Sequence, residues 1–191
     1  MGDPIRLAWD GPLLMYGAGE DSRLIDDVPS RARGVYLWTV PREGLYYPLD
    51  VGEGNLADRL GKHRKGLKRP GDYVYDPEGL KQGEVKDVYN QRMHREPTED
   101  DREKARRFAE LVRLFILPIS EGDLPGDITV KDMSLYLEAA VAYSVLSDPR
   151  GRQIFRPTTT QLHPRTEGTA DIAVYAAIPD PIVGLPSVMW V

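Results

Sequence analysis

Two apolar, strand-like segments separated by only four residues constrain the fold of this chain more than any other feature. The first, RGVYLWTV (33–40), is rich in β-branched and aromatic residues and predicts a strand buried on both faces. The second, LYYPLDVGEG (45–54), follows the turn sequence PREG (41–44). Because so short a connection does not allow a parallel crossover, the two strands are predicted to pair antiparallel. Pro48 has no amide hydrogen, so we expect it to lie outside the regular hydrogen bonding of the pair.

Further helices and strands are predicted around this hairpin. Apolar periodicity predicts helices at 55–67, with Asn55 as the N-cap, and at 131–147. A third helix is predicted to start at Thr98, where TEDD has the form of a capping box. The apolar run at 114–120 predicts another buried strand. The predicted class is α+β, a small mixed or antiparallel β-sheet flanked by helices in the order β-β-α-α-β-α.

Three other stretches lack a strong periodic signal. Residues 1–30 are rich in Pro and Gly and predict a mostly irregular arm with a partial strand. Residues 68–97 are polar and predict an insert with a short strand or two, in DYVYD and VKDVY. Residues 148–191 predict an irregular C-terminal tail with one strand-like run, DIAVYAAI (171–178).

Composition limits the classes of function. With 191 residues, 41% hydrophobic and 29% charged, the chain predicts one soluble domain over 1–191, with its core at about 33–147. It has no cysteine, which excludes disulfides, thiolate zinc sites and a cysteine nucleophile. No segment predicts a signal peptide or a membrane span, so we expect a cytoplasmic protein with no membrane contact. The net charge of −5 disfavours nucleic-acid binding unless positive charge is concentrated in one place.

Residues 55–69 supply such a concentration. Against Asp58 alone, this segment holds Arg59, Lys62, Arg64, Lys65, Lys68 and Arg69. One interpretation is a solvated helix face, but like charges packed this densely repel one another and favour an anionic partner. Arg59 and His63 are four residues apart, hence neighbours on the helix surface, and beside a glycine turn they are suited to hold a phosphate. The alternative is an exposed arginine and a histidine at the edge of the core.

Glu138 is the only acidic residue in the apolar stretch MSLYLEAAVAYSVL. Burying a lone carboxylate is costly unless a cation or hydrogen bonds compensate it. One interpretation is therefore an ion pair or a capping contact to a neighbouring loop. The other is a metal ligand or a general base, since Mg²⁺ takes oxygen ligands and often only one or two carboxylates. The residues alone leave both open.

A set of short motifs resembles the GIY-YIG endonuclease superfamily, in that order and at its usual spacing. They are GVY (34–36), DVG (50–52), LADRLGKH (56–63) and LE (137–138). The resemblance covers about 33–67 and 111–146. It implies a small mixed sheet flanked by helices.

The same resemblance implies metal-assisted hydrolysis of DNA phosphodiester bonds. Glu138 would hold Mg²⁺ or Mn²⁺, Tyr36 would be catalytic, Arg59 would stabilise the phosphate and His63 would support the reaction. The basic segment would bind the DNA through Lys62, Arg64, Lys65, Lys68 and Arg69.

Two positions depart from the family pattern. The second motif usually begins with tyrosine, where this chain has Asp50, and no asparagine follows the last catalytic helix. Asp50 is interpreted as a metal ligand or a water-orienting base, or else as a surface aspartate at a turn. The leading hypothesis is thus a metal-dependent DNA endonuclease. The alternatives are a catalytically inactive DNA-binding module and a protein–protein adaptor.

Overall fold

The predicted hairpin forms around a two-residue turn. The computed structural model describes residues 4–16, 23–68, 74–89, 95–126, 128–156 and 172–191. In it, β3 (Arg33–Arg42) pairs antiparallel with β4 (Leu45–Asn55). Glu43 and Gly44 have φ values of 52° and 75°, and positive φ at both turn positions suits the twist of the strands. Pro48 lies within β4, opposite Thr39 and next to a register shift in the strand pair.

Two more strands extend the hairpin into a four-stranded antiparallel sheet. The strand β7 (Arg113–Ile119) pairs with β3, and β2 (Asp10–Leu13) pairs with β7. The order is β2-β7-β3-β4, which makes β4 an edge strand of this sheet. The α+β class is confirmed, and the sheet takes one strand from the N-terminal region that was predicted to be mostly irregular.

In the part of the chain that the structure describes, four α-helices accompany the sheets. They are α1 (Leu56–Lys68), α2 (Pro77–Gln82), α3 (Glu99–Leu111) and α4 (Val130–Ser147). The predicted N-cap of α1 is confirmed, since the Asp58 amide donates to Asn55 Oδ1 at 2.9 Å. None of the described helices is both long enough and apolar enough to cross a membrane.

The two faces of the four-stranded sheet carry separate hydrophobic cores. Tyr36, Trp38 and Val40 alternate along β3 and share a core with residues of α1 and α3. Val35 and Leu37 point the other way and share a core with residues of α4. Consequently α1 and α3 cover one face, and α4 covers the opposite face.

The prediction of an irregular C-terminal tail is wrong for much of the described part. Two strands, β8 (Ala173–Ala177) and β9 (Val188–Trp190), join β1 (Ile5–Ala8) in a second sheet of order β1-β8-β9. Here β1 and β8 run parallel, and β8 and β9 run antiparallel. The strand-like run at 171–178 is confirmed. One of its two partner strands, β1, lies at the other end of the described chain, and no local pattern reveals such a pairing.

The insert has more regular structure than its sequence indicates. The predicted short strands are confirmed as β5 (Val74–Tyr75) and β6 (Asp87–Tyr89), which pair antiparallel. Between them lies α2, which sequence analysis missed because six residues are too few for a periodic signal. Its N-cap is Asp76, whose Oδ2 accepts the Gly79 amide at 2.8 Å.

The capping network of α3 makes stability depend on pH. Asp101 is buried and accepts hydrogen bonds from Arg95, from the Thr98 amide at 2.7 Å and from Thr98 Oγ1 at 2.8 Å. The hydrogen bond from Arg95, with those from Thr98, holds the pKa of Asp101 well below its usual range. A depressed folded-state pKa stabilises the fold above the unfolded value of about 3.9 and loses that stabilisation as pH falls.

We predict that Asp101→Asn lowers the free energy of unfolding by about 1–2 kcal/mol at pH 7, because hydrogen bonds to an ionised group are the stronger ones. The deficit should shrink as pH falls below about 3.9, because the Asp101 carboxylate then takes up a proton in the unfolded wild-type chain, while the folded state still holds it ionised. Urea denaturation at several pH values measures it. Asp100→Asn is the control, because that side chain is 72% exposed in its ion pair with Lys104. A deficit that is constant across this range would contradict the prediction.

Candidate active site

Tyr36 lies at the centre of the candidate site and crosses the edge strand of the sheet. It is 5% exposed and sits opposite Gly52 in the pairing of β3 with β4. A Cβ atom on Gly52 would lie 2.2 Å from the Tyr36 hydroxyl oxygen and 2.3 Å from Cζ. Only a glycine therefore lets the phenol ring lie across β4 here. This crossing carries the hydroxyl towards the edge of the sheet.

His63 holds the hydroxyl from the α1 side. Its Nε2 atom lies 3.1 Å from the Tyr36 hydroxyl oxygen, within hydrogen-bonding distance. The half-buried imidazole also contacts two rings edge-to-face, Tyr36 at a centroid distance of 5.5 Å and Trp38 at 5.1 Å. The predicted catalytic tyrosine and the predicted supporting histidine are thus direct neighbours.

Arg59 lies one turn before His63, and its guanidinium is fixed by the end of β4. Its Nε atom donates to the Glu53 carbonyl oxygen at 3.2 Å. The side chain passes over Gly54, which has a φ of 137° and where a Cβ would lie 3.2 Å from Nε. The residue remains exposed. It therefore combines a fixed position with access for a ligand.

Two acidic residues reach this site from other elements. Glu138 is 8% exposed on α4, on the opposite face of the sheet from α1. Asp50 is half-buried in β4, opposite Trp38, and its Oδ1 accepts the Val51 amide at 2.9 Å. The interpretation of Asp50 as a surface aspartate at a turn is wrong, because a bulge in the strand pair, rather than a turn, accommodates it.

The pKa of Tyr36 reports how these charges are arranged. Burial raises the pKa well above its usual range, and the negative charge of Asp50 raises it further. Arg59 opposes these effects, while Glu138 and Glu53 add to them. The other four residues predicted to be catalytic therefore all act on the Tyr36 hydroxyl, His63 by a hydrogen bond and the rest by charge.

The tyrosines that precede Asp50 are engaged elsewhere. The Tyr47 ring is buried and stacks under the Arg42 guanidinium, 4.5 Å from the ring centroid. Tyr46 packs edge-to-face on Phe115 at 5.0 Å, in the core on the α4 side. Neither tyrosine takes the place that the family motif gives to its second tyrosine.

The predicted DNA-binding residues divide into different environments. Lys62 and Lys65 are exposed on α1. Arg64 instead pairs with Asp26 at 2.5 Å, and its carbonyl oxygen accepts the Tyr16 hydroxyl at 3.1 Å, so it anchors the N-terminal segment. The Lys68 side chain lies outside the described part of the structure, and so does Arg69 entirely.

A cleft of 540 Å³ lies near the site at the end of the sheet. Arg31, Arg33 and Glu121 are among the residues that line it. Arg33 Nη2 lies 3.5 Å from Glu53 Oε2, which connects the cleft to the carbonyl group that holds Arg59. The cleft adds space beside the site. Its lining carries charges of both signs, because Glu121 lies there together with Arg31 and Arg33.

Sequence analysis missed two contributors, Glu53 and Trp38. A signal existed for both. Glu53 is a lone acid between two glycines at the end of a predicted strand, and Trp38 follows Tyr36 by two residues, which places both on one face of a strand.

The oxygen donors at the site fit a hard divalent cation. Both Asp50 and Glu138 act on the Tyr36 hydroxyl, and Mg²⁺ in proteins often takes one or two carboxylates and fills its remaining positions with water or phosphate. Within the described ranges, no three His, Asp or Glu side chains form a ready-made metal cage.

Comparison with known proteins identifies no relative. No protein-family model matches the sequence, no curated protein matches it, and no solved structure matches the fold.

Our first prediction for the site concerns Gly52. In Gly52→Ala the new methyl group would overlap the phenol, so Tyr36 must move and its contact with His63 should break. Such overpacking typically costs about 1–3 kcal/mol. Urea denaturation measures the loss. Gly61→Ala is the control, since a Cβ there meets nothing within 4 Å and alanine should stabilise the helix by about 0.5–1 kcal/mol. Unchanged stability of Gly52→Ala would contradict the crossing of Tyr36 over β4.

Our second prediction concerns the ionisation of Tyr36. Asp50→Asn and Glu138→Gln each remove a negative charge that opposes the phenolate, so each should lower the pKa of Tyr36. Ultraviolet titration of each variant, compared with the same variant carrying Tyr36→Phe, isolates this tyrosine from the other nine. Glu103→Gln, on the exposed side of α3, should leave the titration unchanged. A Tyr36 pKa equal to that of the wild type in both test variants would contradict the proposed arrangement of charges.

Proposed function

We propose that this chain is a metal-dependent endonuclease that hydrolyses phosphodiester bonds in DNA, in the cytoplasm, and that it is a variant member of the GIY-YIG superfamily. The observation that carries the proposal is the Tyr36 hydroxyl, which contacts His63 and experiences the charges of Asp50, Arg59 and Glu138. The antiparallel sheet with α1 and α3 on one face and α4 on the other supports the proposal at the level of the α+β class.

The protonation state of Tyr36 determines its role. Its raised pKa keeps the phenol neutral near pH 7, so it does not begin the reaction as a phenolate. It can accept a proton from the attacking water only if its own proton passes to His63 Nε2, 3.1 Å away. His63 is thus the terminal base, in the tautomer with its proton on Nδ1, and Tyr36 relays the proton between water and imidazole.

Arg59 is placed to stabilise charge on the phosphate. The hydrogen bond from Nε to Glu53 holds the planar group, while its terminal nitrogens are available to pair with two phosphate oxygens. Preorganised donors of this kind are typically worth 10²–10³-fold in rate. Lys62 is the next basic residue along α1, and with Lys65 it would contact the flanking phosphates of the strand.

Glu138 would hold Mg²⁺ or Mn²⁺, and Asp50 is proposed as a second ligand or as a base that orients the water. When bound, the cation supplies Lewis-acid stabilisation of the phosphoryl oxygens and lowers the pKa of bound water. The two carboxylates also oppose ionisation of Tyr36. A bound cation would offset the charge of these two carboxylates. The Tyr36 phenol would then pass its proton to His63 more readily, so metal ligation and proton transfer would support one another.

Nicking of supercoiled plasmid tests the proposal. The wild-type protein should nick DNA with Mg²⁺ or Mn²⁺ and not with a chelator. Glu138→Gln and Tyr36→Phe should abolish nicking, and Arg59→Gln should slow it about 10²–10³-fold. Arg102→Gln, on the exposed surface of α3, is the matched control for charge. Nicking by Glu138→Gln at the wild-type rate would contradict the proposal.

A second candidate is a catalytically inactive DNA-binding module. It is favoured by Asp50 at the position of the family's second tyrosine. It predicts salt-dependent DNA binding without nicking. The plot of log affinity against log salt concentration should become less steep by about 0.9 for each phosphate contact that Lys62→Gln or Lys65→Gln removes. The adaptor hypothesis predicts no salt-dependent affinity for DNA at all.

A further inference from the structure

A continuous series of ring contacts leads from the insert to the candidate site. The Tyr75 ring of β5 contacts Phe108 of α3 edge-to-face at 5.9 Å, and Phe108 stacks on Trp38 of β3 at 6.3 Å. Trp38 contacts His63 at 5.1 Å, and His63 contacts Tyr36 at 5.5 Å. All four distances fall in the range of favourable aromatic pairs. Four separate elements therefore meet in one aromatic series.

The orientation of His63 depends on its surroundings. The torsion that turns an imidazole about its bond to Cβ is broad, so the side chain's own conformational preferences do not fix the ring plane. The His63 ring contacts Tyr36, which it must serve, and it also contacts the buried Trp38 edge-to-face. Trp38 thus restrains the turn of the imidazole that brings Nε2 to the Tyr36 hydroxyl.

Trp38 is itself held in place by the core. It is 5% exposed and Phe108 is 2% exposed, and close-packed interiors transmit small displacements instead of absorbing them. Tyr75, half-buried in the insert, is the outermost ring of the series. A change at Tyr75 should therefore reach Phe108, then Trp38, and finally the imidazole.

We propose that Trp38 is a positioning residue that orients His63 towards the Tyr36 hydroxyl, and that Tyr75 makes the insert a support of this orientation. Trp38 does not touch the reacting atoms, so it acts only through His63. The orientation is a property of the folded protein. Only its effect on cleavage rests on the proposed function.

Nitrogen NMR of protein labelled with ¹⁵N-histidine measures the orientation directly. The chain has three histidines, so His63→Gln assigns the His63 signals, and Tyr36→Phe gives the signal expected when the hydrogen bond is absent. In the wild type we expect one tautomer, protonated at Nδ1, because Nε2 accepts from the phenol. Trp38→Phe and Tyr75→Leu should shift the Nε2 signal towards that of Tyr36→Phe.

Two matched variants separate positioning from general core packing. Trp9→Phe removes an indole that is equally buried, at 3% exposed, but belongs to the core on the α4 side, so the His63 signals should not change. Tyr75→Phe keeps the ring and should keep the wild-type His63 signals. Its comparison with Tyr75→Leu tests the proposal even if Trp38→Phe does not fold. Unchanged His63 signals in folded Tyr75→Leu, or an equal change in Trp9→Phe, would overturn the proposal.

The cleavage assay provides the catalytic measurement. Trp38→Phe and Tyr75→Leu should lower kcat for plasmid nicking about tenfold while KM stays unchanged, since general-base catalysis contributes about 10²–10⁴-fold and is only partly lost. Trp9→Phe should keep the wild-type kcat. If the wild type never nicks DNA, the proposed function fails, and the NMR result still decides whether Trp38 orients His63. If nicking occurs but kcat is unchanged in Tyr75→Leu, the positioning role in catalysis is refuted.

Discussion

The approach of the Tyr36 ring to the backbone of Gly52 is the contact on which the site's geometry depends. Because β4 is the edge strand of its sheet, a ring that crosses it brings the hydroxyl to the boundary between the two faces. At that boundary, groups on α1 and a carboxylate on α4 act on the same atom. A larger residue at 52 would keep the phenol within one face, and the sheet itself would then separate Glu138 from His63.

The charges around this hydroxyl hold the phenol in its neutral form. Burial and the carboxylates of Asp50, Glu138 and Glu53 all oppose ionisation of the phenol, and Arg59 only partly offsets them. Strongly perturbed ionisable groups cluster at functional sites, although structural ion-pair networks also perturb them. The network at Asp101 is of the structural kind, since its hydrogen bonds stabilise the carboxylate in its usual charged form. At Tyr36 the neighbours likewise favour the usual form, which for a phenol is the neutral one, so the functional interpretation rests instead on the contact with His63 and on the meeting of Arg59 with carboxylates around one hydroxyl.

Sequence patterns predicted those parts of the structure that depend on neighbours in the chain. The hairpin followed from two apolar runs and a short turn, and the start of α1 followed from Asn55. Arg59 and Glu138 were singled out by residue type and spacing, and Tyr36 by the resemblance to the GIY-YIG family, yet their approach to one another depends on how β4 and α4 pack. A turn was one of the two environments predicted for Asp50, and the bulge that is found there was not foreseen, because a bulge depends on the register of the partner strand. Trp38 looked like an ordinary core residue, since nothing local reveals that His63 lies against it.

The second sheet joins the two ends of the described chain. Ile5 pairs with Val174 and Ala8 pairs with Ala177, so this contact closes a loop that contains nearly every other residue. Closing so long a loop costs more chain entropy than forming the hairpin, whose partners lie a few residues apart. During synthesis, moreover, β8 leaves the ribosome only after the whole four-stranded sheet has been made. The strands that carry Tyr36 and Gly52 can therefore assemble while β1 still lacks its partner, whereas the core on the α4 side is complete only when the terminal sheet has formed.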